Sequence, residues 1–221
     1  MRKAILSCVF VMGLSAIVAG QQMVDKTVAT VSDRSRTELI TYSDLRWQLA
    51  LQPNVSIEPP SSEDLNRALR LLIDQRLFAL EAERLPRDPA TKEEINAKIN
   101  EIVSYFSTPA EFERRLKLVG FKSVSDPNFE QIIAQRIAID KYLDFRFRSF
   151  IVITADDEAQ YYQNVFVPEY RRSNQGQIVP PLETIRPNIV KALTEERVAQ
   201  QIETFLDEAK RRSEIVILSP V

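Results

Sequence analysis

The chain has 221 residues, 44% of them apolar and 27% charged, with a formal net charge of −2 at neutral pH. That composition supports a packed core and does not fit a disordered chain, and the slight acidity argues against nucleic acid or an anionic membrane surface as the main partner. The chain contains no histidine, which excludes histidine-based triads and histidine-ligated zinc, and only four glycines, too scattered for a phosphate-cradling loop.

In chain order, Arg2 and Lys3 precede an apolar run from Ala4 to Val18, followed by Ala19-Gly20 and polar Gln21 and Gln22. A charged start, a short apolar stretch and small residues at its end predict a signal peptide over 1–20, cleaved near Ala19-Gly20, and an exported protein. Cys8, the only cysteine, would leave with it, so no disulfide is expected. A retained anchor, or a lipid attached at Cys8, is the alternative.

Val24 to Thr41 reads as a β-hairpin: V-A-T-V and E-L-I-T flank S-D-R-S-R, a turn without glycine. Ser43 or Thr41 then opens a short helix to Gln52, which Pro53 stops. A loop rich in proline and serine runs to Ser62, which is expected to cap a long helix. Leu65, Leu69, Leu72, Ile73, Leu77 and Leu80 form its apolar stripe, and Pro86 and Pro89 end it.

Thr91 with Glu94 has capping-box spacing, followed by the stripe Ile95, Ile99, Ile102, Val103 and Phe106. Thr108-Pro109-Ala110-Glu111 starts the next helix, and Gly120 suits its end. Asp126-Pro127 starts another, with apolar residues on more than one face, as a central helix has. Thr154 with Asp157 caps a helix through Tyr161 to Phe166, and its first-turn acids suit the helix dipole. A polar connector is expected from Pro168 to Pro181. The last long helix is expected near Thr184, with Pro187 tolerated only in its first turn, and Ile215 to Leu218 reads as a closing strand. That strand is expected to pair with the hairpin, because a lone strand leaves its backbone groups unpaired.

These pieces, in this order, resemble the SurA family of periplasmic chaperones. The resemblance lies in V-D-K-T-V-A-T-V followed by L-I-T-Y-S-D-L, in L-L-I-D-Q-R-L-F-A-L-E-A, and in F-E-R-R-L ahead of a glycine. It continues in R-F-R-S-F-I-V-I-T-A-D-D-E-A-Q-Y-Y and in the closing R-V-A-Q-Q-I-E-T-F-L-D-E-A-K-R-R-S-E-I-V-I-L. Each piece is a pattern of apolar positions and not a chemical signature. The resemblance implies a mainly α fold: a chaperone core of six to seven helices with a short N-terminal β-hairpin and a C-terminal strand pairing with it. It divides the chain into a core over 21–166, a connector over 167–181 and a returning helix and strand over 182–221.

In the family a parvulin-type isomerase domain sits at that connector. Fifteen residues cannot hold a domain of ~50 or more, and the parvulin site uses histidines that this chain lacks. The resemblance therefore implies an ATP-independent holdase for unfolded exported polypeptides, outer-membrane proteins among them, with no catalytic residue, metal or cofactor. The alternatives are a reduced prolyl isomerase, an assembly protein with one fixed partner, and a homodimer with exchanged helices. The candidate peptide-contact residues are the aromatics Trp47, Tyr105, Phe106, Phe112, Phe145, Phe147, Phe150 and Tyr161, because aromatic rings supply contact area at low entropy cost. Ordinary core packing is the competing reading for each of them.

Overall fold

The computed structural model describes residues 25–34, 36–84 and 88–221. The expected signal peptide, Cys8, Val24 and Pro86 lie outside the described residues. Strands β1 (Thr27–Ser32), β2 (Thr37–Thr41) and β3 (Glu214–Ile217) form one antiparallel sheet in the order β2-β1-β3. Thr30 stands opposite Leu39 on one side and Val216 on the other. The last strand thus pairs with the first, as expected. The hairpin turn does without glycine because Asp33 closes it: the Arg36 N–H donates to Asp33 Oδ1 at 2.8 Å.

Thr41 ends β2 and caps helix α1 (Tyr42–Ala50) at the same residue. Its Oγ1 accepts from the Asp44 N–H at 3.2 Å, and its own N–H donates to Asp44 Oδ2 at 2.9 Å. Helix α1 ends two residues earlier than expected, before Pro53. Helix α2 (Ser62–Ala82) is capped by Ser61 rather than Ser62, and the Asp64 N–H lies 3.0 Å from Ser61 Oγ. Helices α3 (Lys92–Ser104), α4 (Pro109–Leu118) and α5 (Pro127–Leu143) start at the expected caps Thr91, Thr108 and Asp126. Gly120 ends α4 at φ 101°, a left-handed conformation open to glycine at little cost.

A π-helical turn, Asp144–Arg148, continues α5. Helix α6 (Ala155–Tyr161), a second π turn (Tyr162–Phe166) and α7 (Val167–Ser173) form one run, followed by α8 (Leu182–Arg212). Among the described residues this makes seven continuous helical runs beside the sheet. Two expectations are corrected here. The stretch from Pro168 to Ser173 is helical and not connector, because the wider π turn lies where the proline ring would press on the Asn164 carbonyl. Pro187 lies in the second turn of α8 and not in the first, because the helix starts at Leu182. The hydrogen bond it forgoes is to the carbonyl of Glu183, and both residues are exposed.

Three apolar clusters hold these elements together. One joins the sheet to α1 and α2 through Val28, Val31, Ile40, Leu45, Leu49, Leu69 and Leu77, and reaches Ala209 on α8. The second joins α3, α4 and α5 around Phe112, Phe129, Leu116 and Ile133. The third joins α2, the end of α5 and α8 through Phe78, Tyr142, Phe147 and Val198. Helix α5 serves two clusters, which accounts for apolar residues on more than one of its faces. By contrast α6, the second π turn and α7 contain no buried residue. Polar contacts hold α6 to α8: Arg197 Nη2 to Asp157 Oδ1 at 2.6 Å and Arg186 Nε to Glu158 Oε2 at 2.8 Å.

Arg115 of α4 is a buried cation without a buried anion beside it. Its Nε donates to the Ala50 carbonyl at 3.1 Å, and its Nη2 lies 2.8–2.9 Å from the carbonyls of Leu49, Gln52 and Val55. Those carbonyls belong to the end of α1 and the loop after it, and of the four the Leu49 carbonyl also accepts from the Gln52 N–H. Arg115→Met should lower unfolding free energy by about 3 kcal/mol, since it orphans several buried acceptors. Arg115→Lys should recover little, because a single ammonium cannot span the same fork. Urea titration of both variants measures this, and a loss under ~1 kcal/mol for the methionine variant would contradict it.

Several cap and ion-pair carboxylates titrate below their ordinary range. Lys141 and the Thr91 N–H lower Glu94, the backbone N–H groups of Lys122 and Asn128 lower Asp126, and the hydroxyl and N–H of Thr154 lower Asp157. A carboxylate with a depressed folded pKa adds stability above its unfolded value, about pH 4, and loses it as pH falls through the folded value. The urea midpoint should therefore hold between pH 6 and 8, where a histidine-free chain has little to titrate, and fall progressively below pH 4. A midpoint still unchanged at pH 3 would refute the assignment.

Candidate functional site

Helices α1, α2 and α5 all face one groove on the side of the molecule. Their packing is secured elsewhere, by Leu45 and Leu49 against α2 and by Phe129 and Ile133 toward α3 and α4. Between them lies a groove of about 750 Å³, which Asp88-Pro89 and Val119–Phe121 also line. That volume lies within the ~300–1,000 Å³ typical of ligand sites.

The lining falls into three chemical groups. Trp47, Leu51, Leu72, Ala79, Phe121, Ile132 and Ile139 provide apolar surface. Gln48, Gln75, Asn128, Gln131 and Gln135 provide carboxamides. Glu38, Asp44, Arg76, Glu83, Asp88 and Arg136 provide charge. On α5 the lining recurs at 128, 131, 132, 135, 136, 138 and 139, one face of a helix. The side-chain carboxamides of Gln75, Asn128, Gln131 and Gln135 form no hydrogen bond within the protein among the described residues.

Several wall residues are fixed from behind. The Trp47 indole N–H donates to the Val119 carbonyl at 3.1 Å, and its ring lies 5.2 Å from that of Phe121. Arg76 Nη2 stands 3.4 Å from Asp44 Oδ2, and its Nε donates to the Leu39 carbonyl at 3.3 Å. Glu38 and Glu83 both pair with Arg36. Arg136 donates to Oε1 of buried Gln48, which ties α5 to α1. Protein atoms crowd its guanidinium, and this desolvation pulls its pKa below the ordinary arginine value against the opposing pull of Asp140.

The aromatic candidates scatter. Trp47 lines the groove. Phe106 and Phe112 pack in the second apolar cluster, with Phe112 fully buried, and Phe147 packs in the third. These three are corrected to core residues, since each is buried, although Phe147 also lines a shallow pocket beside Phe205 of α8. Tyr105 is 59% exposed, with its hydroxyl donating to Glu101 Oε1 at 3.0 Å. Phe145 and Phe150 are 53% and 73% exposed and meet edge to face at 6.2 Å, away from the groove lining. Tyr161 is half-buried at the end of α6. The carboxamides and arginines of the groove were missed. Their signal was polar residues at helical spacing on a helix that also carries two apolar faces, a pattern that a solvated face shares.

Among the described residues no group of acidic or cysteine side chains is placed to hold a metal ion, and no helix is long and apolar enough to cross a membrane. No protein-family model matches the chain, and no curated protein matches it.

The wall residues differ in what they support. Gln75→Ala and Gln135→Ala remove groups that only line the groove and should shift unfolding free energy by less than ~0.5 kcal/mol. Gln48→Ala removes the acceptor that Arg136 uses and should cost about 2 kcal/mol. Chemical denaturation of the three variants distinguishes wall from support, and equal losses would contradict the division.

Proposed function

We propose that this groove holds extended segments of unfolded polypeptides, and that the protein is an ATP-independent chaperone core acting on exported chains. The observation that carries the reading is the pairing of an apolar floor with unengaged carboxamides. A carboxamide both donates and accepts, so it can meet the N–H or C=O of a peptide backbone whatever the side-chain sequence. The apolar floor takes client side chains non-directionally. From Asn128 to Ile139 the α5 wall runs roughly 16 Å at 1.5 Å per residue, room for about five extended residues. A short contact of this kind gives weak, reversible binding, which suits holding and release without nucleotide. Preferential binding of the unfolded state shifts its fate by mass action.

The order of elements supports the same reading. First and last strands share a sheet, and the helical core lies between them, as the resemblance to SurA-type chaperones implies. The exported, periplasmic setting belongs to the proposal and rests on the N-terminal sequence. So does the absence of catalysis, which rests on a chain without histidine.

The test is light scattering from a chemically unfolded client, with an outer-membrane protein among the clients, at stoichiometric amounts of protein and without nucleotide. Aggregation should be suppressed. Ala79→Trp, which fills the groove from α2, should weaken suppression at least about fivefold while the thermal midpoint stays within a few degrees. Undiminished suppression by that variant would remove the groove from the function. No suppression by the unaltered protein would remove the holdase reading, and acceleration of a proline-limited refolding step would replace it with catalysis.

A further inference from the structure

Charge is balanced unevenly along the groove. Arg76 faces Asp44, and Glu38 and Glu83 share Arg36. Arg136 forms no ion pair among the described residues. Its nearest acidic neighbour along α5, Asp140, pairs with Lys98 at 3.3 Å. Among the described residues the one hydrogen bond of Arg136 goes to a neutral acceptor, Gln48. A guanidinium carries five N–H donors in a planar fork, so most of this one is unused. Holding a crowded cation without an anion is costly, and tying α5 to α1 does not require it, since a neutral donor would serve Gln48 equally well.

We propose that Arg136 receives the side-chain carboxylate of an aspartate or glutamate in the extended segment bound along the groove, so that the protein prefers clients with acidic residues set among apolar ones. This rests on the peptide-binding reading above and adds a specificity to it. The occupant is a side chain and not a chain terminus because the lining continues on both sides of Arg136. On α5 it runs back to Asn128 and on to Ile139, and on α2 it runs from Leu72 to Glu83. A segment seated on Arg136 therefore has wall to follow in either direction. The apolar residues Ile132, Ile139 and Ala79 beside it take the flanking side chains and exclude water, which strengthens a bidentate carboxylate contact.

The experiment uses fluorescence anisotropy with three labelled ten-residue apolar peptides. The first carries a central glutamate and blocked ends. The second carries glutamine there and blocked ends. The third is the glutamine peptide with a free C-terminal carboxylate. The unaltered protein should bind the glutamate peptide about tenfold more tightly than the glutamine peptide, the scale of a hydrogen bond between charged groups. Arg136→Gln should abolish that preference, and Arg136→Lys should retain part of it. Equal binding of the first two peptides by the unaltered protein would overturn the proposal and leave the groove reading intact, and this comparison needs no variant. A gain for the free terminus alone would overturn the choice of side chain. Parallel loss of both peptides in Arg136→Gln would make the residue structural, and a preference surviving in that variant would assign it to another cation. Failure of every peptide to bind would remove the peptide-binding reading together with this one.

Discussion

The structure turns on the way Arg115 satisfies the end of α1. A helix terminus leaves carbonyls without donors, and here the chain continues through a part-buried loop where water has limited access. One guanidinium from α4 reaches four carbonyl oxygens there and lies over the Phe106 ring at 5.7 Å. Burial lowers its pKa, yet the dense set of acceptors compensates for the desolvation that an isolated cation would suffer. The contact joins the first apolar cluster to the second. It also fixes α1, and therefore Trp47, Gln48 and Leu51, as one wall of the groove.

Helix α5 is the opposite wall and cannot move independently. Phe129 and Ile133 anchor one of its faces among α3 and α4, while Tyr142 anchors its end beside Phe78 and Phe205. The third face is left to the groove. The π turn that follows rotates successive phenylalanines apart, so Phe147 enters the core while Phe145 and Phe150 remain outside. The groove is thus a by-product of firm packing on its outer sides, and its lining is free to be chosen for what it contacts. Arg115 and Arg136 illustrate the difference. Both are crowded cations, but one is surrounded by carbonyls and the other meets a single amide oxygen.

The sheet closes the whole. β1 lies between β2 and β3, and both backbone N–H groups after β3, of Leu218 and Ser219, reach the Val28 carbonyl at 2.8 and 3.2 Å. The end of α8 is held beside α2 by Lys210, 2.7 Å from Asp74. The α6–α7 run buries no residue and is held to α8 by polar contacts. Its aromatic column, Tyr162, Phe166 and Tyr170, stacks along its own helix at 5.5–5.8 Å and is only half-buried.

What the sequence determined by itself was local. Thr91 with Glu94, Thr108 with Pro109, Asp126 with Pro127 and Thr154 with Asp157 each marked a helix start, because a cap is satisfied within four residues and needs no partner from elsewhere. The leucine stripe of α2 was legible for the same reason, and the pairing of first and last strands followed from the need to satisfy backbone groups. The tertiary structure decided everything that depends on which faces meet. Phe106, Phe112 and Phe147 read as candidate contacts and proved to be core. Gln131, Gln135 and Arg136 drew no reading from the sequence and line a groove. Periodicity shows that side chains share a face; only the crossing of α1, α2 and α5 decides whether that face meets a neighbour, open water or a cleft between them.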